Sequence, residues 1–543
     1  MRTRTSSWSH RVLRPLVALG VAATAAAGGS VTAAAASTVA NIPVTSAKPY
    51  SYQEPWLAVD PHNAQRMAIA YREGAQREVC SLALSTDGGA SWHTQDIIGP
   101  QGRLSWPSDA TLCYEAVAAF GPDGTLYYAA QATISFRDPF SRVLVTSTSD
   151  GVAFHAPVDV DPVQSRTAGD VGGGDWYPRL AVRSTTGELF VRWTHYASRN
   201  ATGATEVATS STKGDTFSAP VTASPSPNPT AGASVIDSMG VGLAVGDDGT
   251  VYTSWLDLTK RQAGCSLART GPTSTCSLPV PLEVAASHDG GRSFQPPVVV
   301  DRAVDLGCPG RNPATSSLAG CDNLHFDRGP EGFSLVAGST AGMAALAWWG
   351  GDPEKTARIS FATTHDSGRT WTSPKTVGTI PGQPHDEQQR PALDAAPDGR
   401  IDMAYYDDTY GGDQDVYLTR SHDGGRTFST PQLVSSTSSN INVGPVSEDG
   451  VHAGFGEWLG VASTDRGVRI AWTDTRRGTV DSAKQDIYFA SVPLHTGTPL
   501  WVPIVAGLAG ALILAGVALG VLGARARRRA RSDAPPRPIA GRV

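Results

Sequence analysis

One short pattern, S/T-x-D-x-G-x-S/T-W/F, recurs along this chain and constrains its fold more than any other feature. Four copies are complete: Ser85-Thr-Asp87-Gly-Gly89-Ala-Ser91-Trp92, Ser287-His-Asp289-Gly-Gly291-Arg-Ser293-Phe294, Thr364-His-Asp366-Ser-Gly368-Arg-Thr370-Trp371 and Ser421-His-Asp423-Gly-Gly425-Arg-Thr427-Phe428. Two copies are worn. Thr148-Ser-Asp150-Gly-Val-Ala-Phe154 is one residue short, and Ser210-Ser-Thr212-Lys-Gly214-Asp-Thr216-Phe217 has Thr212 in place of the aspartate. The physics of the unit is local. The carboxylate can accept bonds from the N–H groups of its own turn, the glycine takes the φ > 0 position, and the hydroxyl adds a second bond. The final aromatic is expected to pack back onto its own sheet. Asp87, Asp150, Asp289, Asp366 and Asp423 are therefore read as turn holders and as markers of a repeat.

A second repeat lies under the first. An apolar strand, a PDG-like turn and another strand recur seven times, as in Pro55-Trp-Leu57-Ala-Val59, Pro178-Arg-Leu180-Ala-Val182, Pro391-Ala-Leu393 and Trp458-Leu-Gly-Val461. The first six copies continue into a third strand, the D-x-G stretch and a fourth strand. The seventh stops after its third strand, Gln485 to Val492, and its missing fourth strand can come from Val39 to Ser46 near the start of the chain. Such closure lets a ring of sheets avoid free edges.

The D-x-G stretches resemble the Asp-box (BNR) repeats of the sialidase superfamily of β-propellers, over about residues 40 to 495. The resemblance and the repeat together predict an all-β propeller. Seven blades are favoured by the repeat, and six, the number in sialidases, is the alternative. If the strands of each blade are lettered A to D outward from the axis, the A–B turns and the Asp boxes fall on one face, here called the bottom. The B–C and D–A loops fall on the top. Two insertions, about Thr259 to Pro279 and Asp301 to Arg328, then lie at the top.

The ends predict export and anchoring. Arg2, Arg4, Arg11 and Arg14 precede an Ala/Val/Leu/Gly run, so residues 1–36 read as a signal peptide. Residues 37–495 are the expected extracellular propeller, 496–524 a linker and transmembrane helix, and 525–543 a basic cytoplasmic tail. The stretch Trp501 to Gly523 carries no charge, and Arg525, Arg527, Arg528, Arg529 and Arg531 follow it. A single-pass cell-membrane protein with its bulk outside is the expectation. The formal charge is −6 although arginines crowd both ends, so the part between is more acidic still. That disfavours nucleic acid as a partner and leaves glycans, glycoconjugates and cations. Six cysteines in an exported chain read as disulfides. Proximity favours Cys265–Cys276 and Cys308–Cys321, leaving Cys80–Cys113, among fifteen formal pairings.

Polar residues at the tops of the A and B strands surround the axis and form the candidate site. In a sialidase three arginines grip the substrate carboxylate, a tyrosine activated by glutamate is the nucleophile and an aspartate is the acid/base. By that resemblance the catalytic candidates are Arg179, Arg390, Tyr177, Glu387, Asp386 and Glu115, with Tyr405 as a second nucleophile candidate. Arg179 and Arg390 stand at comparable strand starts, each next to a proline. Gln53, Glu54, Arg328, Asp257, Asp407, Glu457 and Arg476 are candidates for substrate binding. The first family arginine belongs to a Phe-Arg-Ile-Pro motif. Here the stretch is Tyr52-Gln53-Glu54-Pro55, with Gln53 in its place. Two functions therefore stand side by side: an exo-α-sialidase-type glycoside hydrolase acting on exposed glycan ends, and a non-catalytic propeller that binds glycan or protein at the cell surface. No cofactor is required by either. The loop carrying Asp407, Asp408, Asp413 and Asp415 is a candidate Ca²⁺ site, without EF-hand spacing. No Walker loop, H-E-x-x-H or G-x-S-x-G is present.

Overall fold

The computed structural model describes residues 39–46, 48–74, 79–98, 112–133, 141–162, 174–196, 203–224, 242–257, 279–305, 333–351, 357–382, 387–408, 413–445, 455–456, 458–494 and 519–529. Within them the chain forms seven antiparallel sheets in sequence order, each built on four strands. Blade 1 comprises Ser51–Asp60, Asn63–Gly74, Val79–Ser85 and His93–Ile98 as its A to D strands. The A strands of blades 2 to 7 are Leu112–Phe120, Gly174–Val182, Gly242–Val245, Ser334–Ala337, Gln388–Ala395 and Gly460–Thr464. Neighbouring A strands touch around a closed ring. The fold is a seven-bladed β-propeller, and the six-blade alternative is set aside.

Each sheet is covered on both faces by its neighbours, which is why the middle strands read as unbroken apolar runs. Met67, Ala68, Ile69 and Ala70 of blade 1 are all fully buried. Among the described residues the core is accordingly split into seven clusters, one for each seam between adjacent blades, with a small eighth group around Tyr177. Small residues alternate with large ones so that sheets of limited spacing can interdigitate. The Cys80–Cys113 disulfide ties the third strand of blade 1 to the first of blade 2. The other four cysteines lie outside the described residues.

The ring closes as the repeat count requires. Ile42–Pro43 pairs antiparallel with Asp486–Pro493, supplying the outer strand of blade 7. Thr45 Oγ1 donates to Asp486 Oδ1 at 3.1 Å and accepts from Ile487 N at 3.1 Å. Asn41 donates to Val434 O of blade 6 at 2.9 Å, which binds the N-terminal segment to two blades.

The four complete Asp-box turns adopt one geometry. Asp289 Oδ1 accepts from Ser293 N at 2.9 Å and Oδ2 from Ser293 Oγ at 2.6 Å, while Gly291 N donates to Ser287 Oγ at 2.8 Å. Of the worn copies, one keeps the bond with another atom, Thr212 Oγ1 accepting from Thr216 N at 2.9 Å, and the shorter one turns more tightly, Asp150 Oδ1 accepting from Val152 N and Ala153 N at 2.8 Å. The expectation for the aromatic residue needs correction. It packs across the seam onto the preceding blade rather than onto its own sheet. Trp92 meets Phe489 of blade 7 at 5.1 Å, and Phe428 meets Phe361 of blade 5 at 4.9 Å. The turn is thus also a spacer between blades.

Pro493 pairs with Gly467 at the A–B turn of blade 7, and Leu494 N donates to Arg466 O at 3.1 Å, so the chain leaves the propeller at the bottom. Residues 519–529 are helical. Among the described residues no helix is long and apolar enough to cross a membrane, and the expected membrane-spanning helix is not seen. Most of that stretch, residues 501–518, lies outside the described residues, as do residues 1–38, where a signal peptide is expected, and most of the two cysteine-bearing insertions.

Candidate functional site

The same distortion appears in four A strands, at the top of the axis. Register shifts between Gln53 and Trp56, Tyr114 and Val117, Trp176 and Arg179, and Gln389 and Ala392 place two residues opposite one. These are β-bulges, and in each the first extra residue has left-handed backbone: Glu54 (φ 60°), Glu115 (φ 55°), Tyr177 (φ 58°) and Arg390 (φ 53°). In three of them a proline follows, Pro55, Pro178 and Pro391, where the missing N–H costs no ladder bond. Left-handed backbone at a non-glycine residue is unfavourable, and it persists where surrounding structure enforces it, commonly at ligand sites. Bulges also re-aim side chains. The four residues are all buried and all were singled out by the sequence.

The bulge corrects one equivalence. Arg390 precedes its proline and aligns with Tyr177, whereas Arg179 follows Pro178 and aligns with Trp56. The two arginines therefore hold different positions within their blades. Arg179, 2% exposed, places Nη1 3.4 Å from Glu115 Oε2. Its guanidinium lies 4.2 Å from the Trp458 ring and 5.1 Å from that of Trp56. Trp176 and Tyr177 of blade 3 also pack with Trp458 of blade 7, so aromatic rings meet across the axis. In the sequence the indoles stand among apolar strand residues and do not mark themselves as site residues. Trp following Pro at a bulge, as in Pro55-Trp56, was the available signal.

Arg192 is the cross-strand partner of Arg179 and is fully buried. It donates to Thr194 Oγ1 and Thr205 Oγ1, each at 3.1 Å, and no carboxylate pairs with it among the described residues. Burial, and then the Arg179 charge, push it down to about 9. It stays charged at neutral pH in a setting that favours an anion nearby.

The remaining candidates are dispersed. Glu54 pairs with Arg72 at 3.1 Å, and the Arg72 guanidinium covers Tyr114 at 4.5 Å. Gln53 donates to Gln485 Oε1 at 2.5 Å and is tied into the closing seam. Arg390 lies 5.6 Å from the Phe455 ring. Glu387 N donates to Asp408 Oδ1 at 2.6 Å, and Asp407 Oδ2 accepts from Gln388 at 2.9 Å. Asp257 is buried with its N–H on Pro281 O at 2.8 Å. Arg476 is held by Asp474 at 2.7 Å, by Asn41 at 3.0 Å and over Tyr488 at 4.1 Å, so it serves the ring closure. Tyr405 is not a nucleophile at the mouth. It is fully buried in the seam of blades 5 and 6, and its hydroxyl donates to Gly378 O at 2.5 Å. Asp386, Arg328 and Glu457 lie outside the described residues.

The acidic-loop residues do not gather around one point among the described residues. Asp415 accepts from Ser435 at 2.6 Å and Ser438 at 2.9 Å, Asp413 is exposed, and Asp407 and Asp408 serve the bonds given above. A carboxylate–imidazole group that the sequence reading did not assemble is instead present in Asp161, Asp175 and His195.

Below the mouth, a cavity of about 350 Å³ follows the axis, lined by the inner strands of all seven blades. Arg390 and Trp458 contribute to it, as do Asp394 and Ser463. Asp394 Oδ2 accepts from Ser463 N at 2.6 Å, which links blades 6 and 7.

Fold and site together define a seven-bladed Asp-box propeller whose mouth brings buried arginines, carboxylates and aromatic rings together. No family model matches the chain, and no curated protein matches it. Solved structures with a similar fold include sialidases and other propeller enzymes that process glycans. The Hadza microbial sialidase Hz136 is 14% identical, with a TM-score of 0.42, over 79% of this chain and 74% of that one. An ulvan lyase of a polysaccharide lyase family is 11% identical, with a TM-score of 0.46, over 84% and 95%. The α-L-arabinofuranosidase Arb93A from Fusarium graminearum is 12% identical, with a TM-score of 0.42, over 67% and 92%.

Proposed function

We propose that the mouth of the axis recognises acidic glycan ends and that the protein is a glycan-active propeller displayed at the cell surface. The observation that carries this reading is the Arg179–Arg192 pair: two buried guanidiniums in cross-strand register, the second without a carboxylate among the described residues. A carboxylate-bearing sugar supplies the missing charge, and the guanidinium fork suits it. Trp56 and Trp458 supply flat apolar faces of the kind on which sugar rings stack.

In its finer form the reading is an exo-α-sialidase-type hydrolase, with Tyr177 as nucleophile, Glu115 or Glu387 as its activating carboxylate and Arg179 as the anion grip. Binding without turnover is the second reading. Gln53, standing where a sialidase has its first arginine, favours it. Anchoring in a membrane by residues 501–523, propeller outward and bottom face toward the bilayer, completes the proposal.

The test is hydrolysis of a fluorogenic sialoside by the full chain in detergent, alongside binding of sialylated, uronate-bearing and neutral oligosaccharides. Turnover abolished in Arg179→Ala establishes the hydrolase. Binding of acidic but not neutral glycans, without turnover, establishes the second reading. Equal indifference to all of them overturns both.

A further inference from the structure

Asp161 follows the outer strand of blade 2, Asp175 is the second residue of the A strand of blade 3, Gly174–Val182, and His195 is the last but one of the B strand that pairs with it, Leu189–Tyr196. We propose that these three residues form a binding site for one divalent transition-metal ion of the Zn²⁺ class. One ligand atom from each lies within 4.8 Å of the others. Asp175 and His195 are cross-strand partners, with His195 Nδ1 2.7 Å from Asp175 Oδ1. Asp175 N is fixed by Ser141 O of blade 2 at 2.9 Å, so the group straddles the seam on built backbone rather than on a loop tip.

Asp161 is 1% exposed and Asp175 is 0% exposed. Asp175 Oδ2 is buried and has no hydrogen-bond partner among the described residues. The two oxygens of one carboxylate are close together, so this acceptor belongs to the same cluster as the atom held by His195. A buried carboxylate oxygen without a donor is costly. Asp159 and Glu206 add further negative charge around the single imidazole, and Glu206 is itself held by Thr222 at 2.8 Å.

The ligand chemistry selects the ion. Two carboxylates and a neutral imidazole suit Zn²⁺ or a similar dication, whereas Ca²⁺ prefers oxygen alone. Closing the group to metal–ligand distances of ~2.0–2.2 Å draws the three side chains together and replaces the hydrogen bond between His195 and Asp175. The consequence is positional. Asp175 lies two residues before the Tyr177 bulge, so the ion pins the strand that carries Tyr177 and Arg179 to blade 2.

The experiment uses the full chain in detergent, stripped with chelator and titrated with Zn²⁺ alone. Calorimetry should give one equivalent at micromolar Kd or tighter, and the bound ion should raise Tm by about 3 °C. Co²⁺ in its place should give a visible absorption band of low coordination number. Asp175→Asn and His195→Gln should each weaken Zn²⁺ binding at least ~100-fold and abolish the Tm response. If Asp175→Asn fails to fold, the half-buried His195→Gln decides alone. No Zn²⁺ binding by the wild type overturns the proposal and leaves a plain His–Asp ion pair. Binding retained in His195→Gln overturns it equally, by assigning the ion to other histidines.

Discussion

Arg179 and Glu115 meet at the top of the propeller axis, Nη1 to Oε2 at 3.4 Å, although 64 residues separate them and both are almost fully buried. Glu115 is held there in left-handed backbone by the bulge of blade 2. Arg179 is held between Trp56 and Trp458. Truncating one partner of a buried ion pair leaves the other charge without that contact, at about 3–5 kcal/mol. Arg179→Ala should therefore lower the chemical-denaturation midpoint and abolish acidic-glycan binding. The double variant with Glu115→Gln should recover part of the lost stability but none of the binding. A stability unchanged in Arg179→Ala would remove the pair from the account.

The Asp-box glycines make two separable demands. Gly425 has φ 84°, and a Cβ built on it would lie 2.5 Å from Phe361 Cε1 of the preceding blade. Gly290 has φ 75° but meets nothing within 4 Å. Gly290→Ala should cost about 1 kcal/mol, from backbone alone. Gly425→Ala should cost a further ~1–3 kcal/mol from overpacking the seam. Urea unfolding of both variants checks the difference, and equal costs would refute the spacer role.

Acid should weaken the propeller through the same turns. The Ser293 hydroxyl and then the backbone hold the Asp289 carboxyl down at about 2, and Ser91 does the same for Asp87. A carboxyl depressed in the folded state contributes stability above its unfolded value of 3.8, and that contribution is lost as pH falls through about 2. Thermal unfolding of the wild type should fall between those values. Asp289→Asn should be less stable at pH 7 and fall less steeply on acidification. Parallel curves would rule out this origin.

Asp394 predicts the opposite slope. Burial pushes it up to about 7, against the bond from Ser463. A carboxyl raised in the folded state contributes stability below 3.8 that is lost as pH rises through about 7. Asp394→Asn keeps the shape without the charge, so its Tm should change less between pH 5 and pH 8 than that of the wild type. A steeper decline in the variant would contradict the assignment.

Removing residues 39–46 should open blade 7. Its third strand, Asp486–Pro493, would present unpaired backbone groups along an exposed edge. Lower Tm and concentration-dependent aggregation in light scattering are expected. A truncated chain as stable as the whole would show that the N-terminal strand does not close the ring.

The sequence by itself determined the repeat, the candidate closing strand and the Asp-box turns, because each depends on contacts within a few residues or on strict periodicity; it favoured seven blades over six, and the closed ring decided it. It also picked out Glu54, Glu115, Tyr177 and Arg390, since polar residues stand out against apolar A strands. Tertiary structure decided which of these meet. The Arg179–Glu115 contact, the Trp458 ring over Arg179, the commitment of Arg476 to the closing strand and the burial of Tyr405 all depend on how one blade faces another. So does the gathering of Asp161, Asp175 and His195. A propeller brings such residues together only when the ring closes, and a local pattern carries no record of the angle at which the blades meet.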